Sequence, residues 1–127
     1  MRSVALFFTL AALAQGQAPV KIVVTGQGIP WIPEMKQVAP NAIFLEAKPD
    51  TLATVAADAD AILGAINPTI FQAAKKLRWV HIYSAGVEAY RFPEFINSNV
   101  ILTNGKIIQG PEIADHAFAL LLSLTRG

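Results

Sequence analysis

Residues 61–83 read AILGAINPTIFQAAKKLRWVHIY, and this stretch decides the fold class. The short apolar runs at 61–64 and 79–83 predict two β-strands. Asn67 followed by Pro68 is a typical helix start, with Asn67 as the N-cap and Pro68 at the first helical position, so a helix is predicted from there through Leu77. A strand, a helix and a strand in this order predict parallel pairing through a right-handed crossover, because parallel strands need a long return path.

The same alternation continues on both sides of this unit. Further strands are predicted at 20–24, 42–45 and 100–103, and further helices at 34–38, 51–58, 92–97 and 111–126. Pro33 opens the first of these helices, and Asp50 is expected to cap the second. The strands are apolar throughout, as expected when helices cover both faces of a sheet. We therefore predict an α/β, flavodoxin-like three-layer sandwich over residues 19–110, with a five-stranded parallel sheet of order 2-1-3-4-5.

The predicted last helix differs from the others in its composition. Its run from Ala117 to Leu122 is apolar on every side, and a helix of that kind is expected to be buried all round. One side would cover the sheet and the other would meet a further partner, while Gly127 would supply a C-terminal cap. Residues 111–127 are therefore expected to begin a helix that leads into another domain of a longer protein.

Composition and charge exclude several classes of function. The formal net charge is +1, and the only basic cluster is Lys75, Lys76 and Arg78, at the end of a predicted helix, where cations stabilise the helix dipole. This pattern is not a nucleic-acid or membrane-surface footprint. Because the chain has no cysteine, disulfides, zinc–thiolate sites and thiol nucleophiles are excluded.

The first residues are typical of a targeting segment rather than of the fold. A positive lead ending at Ser3 precedes an apolar run from Val4 to Ala14 that ends in a small-x-small cleavage pattern, which predicts a signal peptide at 1–14 and a periplasmic or secreted mature chain. The alternative is an N-terminal helix of a cytoplasmic protein. The run is too short for a membrane anchor, which needs about 20 apolar residues, and no other stretch is long and apolar enough.

Three loops follow the carboxyl ends of predicted strands, where open parallel sheets bind ligands. The first contains Gly26-x-Gly28, but Trp31 stands where a dinucleotide-binding loop has its third glycine, so a plain turn is favoured. The second, Ser84, Ala85, Gly86 and Val87, is small enough for its main-chain N–H groups to form an anion-binding nest, with a hydroxyl donor from Ser84. An ordinary tight turn is the alternative for this loop.

The third loop, residues 103–106, contains the dipeptide Asn-Gly, which is typical of a turn, and the loop is expected to lie beside the second one. His81 is expected to be a hydrogen-bonded core residue, and His116 has no nucleophile or paired acid near it in sequence. Asp58 and Asp60 precede a strand rather than follow it, which places them at the wrong edge of the sheet for catalysis. The sequence shows no metal-ligand spacing, no catalytic triad and no P-loop.

The chain resembles a known family in its second half. Residues 77–88, LRWVHIYSAGVE, resemble the LKWI…SAGVD stretch of D-isomer-specific 2-hydroxyacid dehydrogenases, and residues 100–104, VILTN, are similar to the VxLTN strand that follows it. Residues 112–122, EIADHAFALLL, resemble the family's VAEHAFALLL helix, with Asp115 where glutamate is usual. The match is dense over residues 77–126 and loose over residues 20–76.

The resemblance implies a function for the second loop. Main-chain N–H groups of Ser84, Ala85, Gly86 and Val87 would bind the carboxylate of a small 2-hydroxy or 2-oxo acid, and the helix from Glu112 would cross to a Rossmann domain that binds NAD or NADP. Hydride transfer between the acid and nicotinamide would be the reaction, and a homodimer the assembly.

No catalytic residue is assigned, because the family's arginine, its histidine–glutamate pair and its cofactor loop have no counterpart here. This chain by itself is therefore expected to be an inactive N-terminal fragment of an oxidoreductase. The alternative is a truncated, non-catalytic exported module that binds a small carboxylate or a protein partner.

Overall fold

The computed structural model describes residues 18–126. The five strands are β1 (Lys21–Val24), β2 (Ile43–Glu46), β3 (Ala61–Leu63), β4 (Trp79–Ile82) and β5 (Ile101–Asn104). The α-helices are α1 (Ile32–Val38), α2 (Leu52–Val55), α3 (Pro68–Ala73), α4 (Pro93–Ile96) and α5 (Gly110–Arg126). The predicted signal peptide and the predicted cap at Gly127 lie outside the described residues.

All five strands pair in parallel in the order β2-β1-β3-β4-β5, which confirms the predicted fold class and strand order. One row of side chains crosses the whole sheet in register: Leu45, Val23, Ile62, Val80 and Leu102. This row belongs to the hydrophobic core, which is completed by residues of α2, α3 and α4 on the same face. The core therefore lies between one face of the sheet and these three helices.

Helix α3 begins as predicted but ends early. The Asn67 side-chain oxygen accepts a hydrogen bond from the Ile70 N–H at 2.9 Å, and Pro68 is the first helical residue. The helix ends at Ala73 rather than at Leu77, because the next residues turn back towards β4, where the Arg78 N–H donates to the Asp60 carbonyl at 2.8 Å. The cluster Lys75, Lys76 and Arg78 thus lies just after the C-terminus of the helix rather than in its last turn.

The other helix boundaries also differ from the predicted ones. Asp50 does not cap α2: Thr51 is the N-cap residue, and its hydroxyl bonds to the main chain of Lys48 instead. The helix then tightens into a 3-10 turn at Ala56–Asp58. A second 3-10 segment, Gly26–Trp31, precedes α1, in place of the simple turn expected there.

The opposite face of the sheet is covered only in part among the described residues. Over β1 and β3, Val24, Ala61 and Leu63 are buried, with Gly28 of the 3-10 segment close to Val24. Over β4 and β5, Trp79 is partly exposed and Ile101 is 62% exposed. The predicted cover of helices on both faces is therefore incomplete on this side, which we call the open face.

Helix α5 is exposed along its whole length, contrary to the expectation of complete burial. At 3.6 residues per turn, all of its polar residues except Thr125 fall on one side, so the helix is amphipathic rather than apolar all round. Phe118, Leu121 and Leu124 lie on the apolar side and are each more than half exposed. The connection from β5 contains Ile107 at φ 80, a left-handed conformation that is unfavourable for a β-branched residue.

None of the helices within residues 18–126 combines the length and the apolar character needed to cross a membrane.

Candidate functional site

The loops after β1, β3, β4 and β5 meet at the carboxyl edge of the sheet. Between them lies a shallow cavity of about 340 Å³ that is open to solvent. It is lined by residues 25–27 after β1, residues 64–65 after β3, Tyr83 and Ser84 after β4, and by Tyr90 and Gln109. We call it the carboxyl-edge cavity. In open parallel sheets this edge is where ligands bind.

The loop of residues 84–87 borders this cavity and is anchored through its carbonyl oxygens. The Ser84 carbonyl accepts from the Gly105 N–H at 3.2 Å, and the Ala85 carbonyl accepts from the Asn104 side-chain amide at 2.6 Å. The Gly86 carbonyl accepts from the Ser84 hydroxyl at 2.9 Å. The Val87 carbonyl accepts from the Tyr90 N–H at 3.0 Å. All four carbonyls are thus bonded within the protein.

The N–H groups of the same four residues are free. Among the hydrogen bonds between residues 18 and 126, none is donated by the main-chain N–H of Ser84, Ala85, Gly86 or Val87. The first three residues are exposed and Val87 is half-buried, so these donors are open to solvent or to a ligand. A loop that directs its acceptors into the protein and leaves its donors free suits an anion.

Two details of this loop differ from the sequence-based expectation. The Ser84 hydroxyl donates to the Gly86 carbonyl, so its proton is used inside the loop and not offered as an extra donor. Gly86 does not have a positive φ, and a Cβ atom there would meet only the end of the exposed Glu88 side chain, 2.7 Å from its carboxylate, which could move away. Glu88 therefore brings a negative charge to the edge of the loop.

The floor of the carboxyl-edge cavity is organised around one carbonyl oxygen. The Leu63 carbonyl accepts from the Thr25 N–H at 2.9 Å, the Tyr83 hydroxyl at 3.2 Å and the Thr25 hydroxyl at 3.4 Å. Burial raises the pKa of the Tyr83 phenol above its ordinary value, which keeps this hydroxyl protonated as a donor. Three strands are tied together at this atom.

Two glycines make room for these hydroxyls. A Cβ atom on Gly28 would collide with the Tyr83 hydroxyl and lie 2.8 Å from the Val24 side chain. A Cβ atom on Gly64, which has φ +139, would collide with the Thr25 hydroxyl. Gly28, which looked in the sequence like a remnant of a dinucleotide motif, is thus explained by its contact with an aromatic ring 55 residues further along the chain.

The first loop does not fit a nicotinamide dinucleotide. It forms a 3-10 segment rather than the start of a long helix, with Pro30 inside it and Trp31 60% exposed at its end. The space beside Gly28, which close approach of a pyrophosphate requires, is filled by Tyr83.

The third loop lies beside the second, as the sequence predicts. Asn104 and Gly105 hold the Ala85 and Ser84 carbonyls, and a Cβ atom on Gly105 would lie 2.5 Å from the Tyr83 carbonyl. Their contribution is to support the 84–87 loop, and the close approach explains the glycine.

The remaining candidate residues lie away from this edge. His81 is hydrogen-bonded as expected, since its Nδ1 lies 2.9 Å from the Thr103 hydroxyl, which also accepts from the Trp79 indole at 2.9 Å. It lies on the open face, however, and is only half-buried rather than a core residue. His116 is exposed on α5. In residues 18–126 no three His, Asp or Glu side chains are grouped to hold a metal ion.

The two acidic candidates from the sequence, Asp58 and Asp60, lie at the opposite edge of the sheet. Asp58 is hydrogen-bonded to the Lys21 ammonium, which lowers the pKa of that carboxyl below its ordinary value, and Asp60 lies 3.4 Å from Arg78. Asp60 also accepts from the Lys21 N–H at 3.0 Å. These carboxylates are occupied by structural partners at the amino ends of the strands, as their position before β3 predicts.

Comparison with protein-family models and with curated proteins finds no match to this chain.

Proposed function

We propose that the 84–87 loop binds the carboxylate of a small 2-hydroxy or 2-oxo acid through its main-chain N–H groups. The observation that carries this proposal is the division of the loop: every carbonyl is hydrogen-bonded, whereas no N–H donates to an acceptor within residues 18–126. Hydrogen bonds to a charged group contribute about 1.5–3 kcal/mol each. Two or three such bonds would give a useful affinity without any lysine or arginine in the cavity lining.

This binding loop is proposed to serve an NAD- or NADP-dependent 2-hydroxyacid dehydrogenase. The support is the resemblance of residues 77–126 to that family together with the free donors at the position that the resemblance implies. Because the first loop does not fit a dinucleotide, the nicotinamide cofactor would be held by a Rossmann domain and not by residues 18–126. These residues alone would bind the acid without converting it.

The proposal is tested by titrating the ¹⁵N-labelled chain with pyruvate and D-lactate while following amide chemical shifts. The amides of residues 84–87 should move and saturate with a single dissociation constant. Lactamide has the same size as lactate but no charge, and it should leave these amides unmoved. If carboxylates shift amides elsewhere but not those of residues 84–87, the proposed site is wrong.

A second candidate is a non-catalytic module that binds a protein partner. The observation that favours it is the pair of exposed apolar surfaces, the open face of the sheet and the apolar side of α5, since contiguous exposed apolar patches usually mark interaction sites. A second copy of the chain would be the simplest partner. The two candidates predict different measurements. A partner-binding module should associate with another chain, and it does not require that a carboxylate binds.

A further inference from the structure

Apart from two glycines and Ala65, every residue that lines the carboxyl-edge cavity carries an uncharged polar group on its side chain, although carbon atoms supply somewhat more of the lining than nitrogen and oxygen. Thr25, Tyr83, Ser84 and Tyr90 bring hydroxyls, and Gln27 and Gln109 bring carboxamides. The other lining residues are two glycines and Ala65, so no large aliphatic side chain faces the space. We infer that the ligand's remainder, beyond the carboxylate held by the 84–87 loop, bears hydroxyl groups, which makes it a small polyhydroxylated carboxylic acid. This inference rests on the proposed function.

The hydroxyls of Thr25 and Tyr83 are suited to receive ligand hydroxyls. Each one donates its proton to the Leu63 carbonyl, at 3.4 and 3.2 Å, and so retains lone pairs that can accept. The same carbonyl already accepts the Thr25 N–H at 2.9 Å. A carbonyl oxygen has two lone pairs, so one of the three donors is in excess and can turn to a ligand without leaving Leu63 unsatisfied.

The two glutamines extend this surface on the solvent side. Gln27 and Gln109 are exposed, and a carboxamide both donates and accepts, so it can bind a hydroxyl in either direction. An apolar tail in the same space would separate these groups from water and return no hydrogen bond. Sites built to bond a hydroxyl discriminate strongly against analogues that lack it, because their polar groups are then left unpaired.

Charge and size limit the ligand further. No charged side chain lines the cavity, and Glu88 lies beside Gly86, so a second carboxylate or a phosphate on the ligand would find no cation in the lining and would be repelled by Glu88. The volume of about 340 Å³ is at the small end of ligand pockets. A short-chain sugar acid satisfies these conditions together.

The inference is tested with acids of equal carbon number. The full chain is titrated with 2-hydroxybutyrate and with the stereoisomers of 2,3,4-trihydroxybutyrate, with the amides of residues 84–87 reporting the carboxylate. The best trihydroxy isomer should bind about tenfold more tightly, as two added net hydrogen bonds would give. Equal or tighter binding of 2-hydroxybutyrate overturns the inference.

Two substitutions locate the preference within the cavity. Thr25→Val keeps the shape and removes one hydroxyl, and Tyr83→Phe removes the other. Each should reduce the preference severalfold, where the preference is the ratio of the two dissociation constants, for 2-hydroxybutyrate and for the best trihydroxy isomer, in the same variant. Thr54→Val, at an exposed threonine of α2, is the control. If Thr25→Val does not fold, Tyr83→Phe decides alone, and a preference that survives in it overturns the inference.

The failures of the two proposals are distinguishable. If both kinds of acid move the amides of residues 84–87 with equal affinity, only the polyhydroxylated ligand is wrong. If neither acid moves those amides, the carboxylate site itself is wrong and the inference is overturned with it.

Discussion

Glu88 illustrates how one side chain can set the strength of the proposed anion site. Its carboxylate lies against Gly86, on the loop whose free N–H groups would receive the ligand's own carboxylate. The Glu88 carboxylate and a ligand carboxylate bound to this loop would be close enough to repel each other, even with solvent around them. If the loop binds an acid as proposed, the repulsion from Glu88 would make its affinity lower than the number of donors alone would give.

Replacing Glu88 by glutamine should therefore tighten acid binding. We expect Glu88→Gln to lower the dissociation constant for D-lactate about two- to fivefold in low salt, with a smaller gain near 1 M salt because screening weakens the repulsion. Glu34→Gln removes the same charge from an exposed position on α1 and is the control. An unchanged or weaker affinity in Glu88→Gln would contradict this account of the loop.

Gly28 offers a test of the packing below the cavity. A methyl group there would collide with the Tyr83 hydroxyl and approach Val24 to 2.8 Å, so Gly28→Ala should lower the free energy of unfolding by about 1–3 kcal/mol. Gly110→Ala is the matched control, because no atom lies within 4 Å of its Cβ position. Urea denaturation measures both, and equal midpoints for the two variants would show that Tyr83 is not held as described.

Helix α5 is the element whose apolar side is left uncovered by the described residues. Its apolar side, which includes Leu121 and Leu124, is exposed, and so is Ile101 on the open face. A helix with a polar and an apolar side is stable in water only when the apolar side is covered.

We expect the chain to self-associate through α5. Sedimentation velocity over a range of concentrations should show association that Leu121→Glu, on the apolar side, abolishes. Ser123→Glu introduces the same charge on the polar side and should not alter it. A monomer at every concentration, or equal effects of the two substitutions, would contradict the role of α5.

The sequence predicts strands more accurately than helix boundaries, and the reason is physical. Each strand is a short apolar run, so burial alone identifies it and its neighbours along the chain set the order. The end of α3 depends instead on the bond from Arg78 to Asp60, which closes the path to β4. A bond of this kind depends on the tertiary fold, so helix propensity, which is a local property of the sequence, cannot predict it.

One part of this arrangement could be predicted from the sequence. The small residues after β4 were visible there, and Ser84 lies in the lining of the carboxyl-edge cavity. The other part, in which Thr25, Gly28 and Tyr83 meet at Leu63, joins residues that are far apart in sequence. The sequence favoured a plain turn as the reason for Gly28, whereas in the structure the Tyr83 hydroxyl occupies the space that a side chain at this position would need.

At the scale of the whole molecule, the two edges of the sheet differ in how their polar groups are used. The amino edge carries the ion pairs Lys21–Asp58 and Arg78–Asp60, while no charged side chain lines the carboxyl-edge cavity. The carboxylates of the amino edge are occupied by these partners, whereas the cavity keeps uncharged hydrogen-bonding groups available. This difference favours the carboxyl edge over the amino edge as a ligand site.

A protease should be able to cut the exposed connection between β5 and α5 and so remove α5 from the rest of the molecule. Lys106 is exposed beside the strained Ile107, and no residue of α5 is buried against the sheet. Trypsin should therefore cut after Lys106 early in a time course, and mass spectrometry should find a resistant product ending there. At concentrations where the uncut chain is a monomer, the product should unfold at the same temperature as the uncut chain. The sheet with α1 to α4 would then behave as an autonomous unit that keeps the 84–87 loop after losing the helix through which we expect the chain to self-associate.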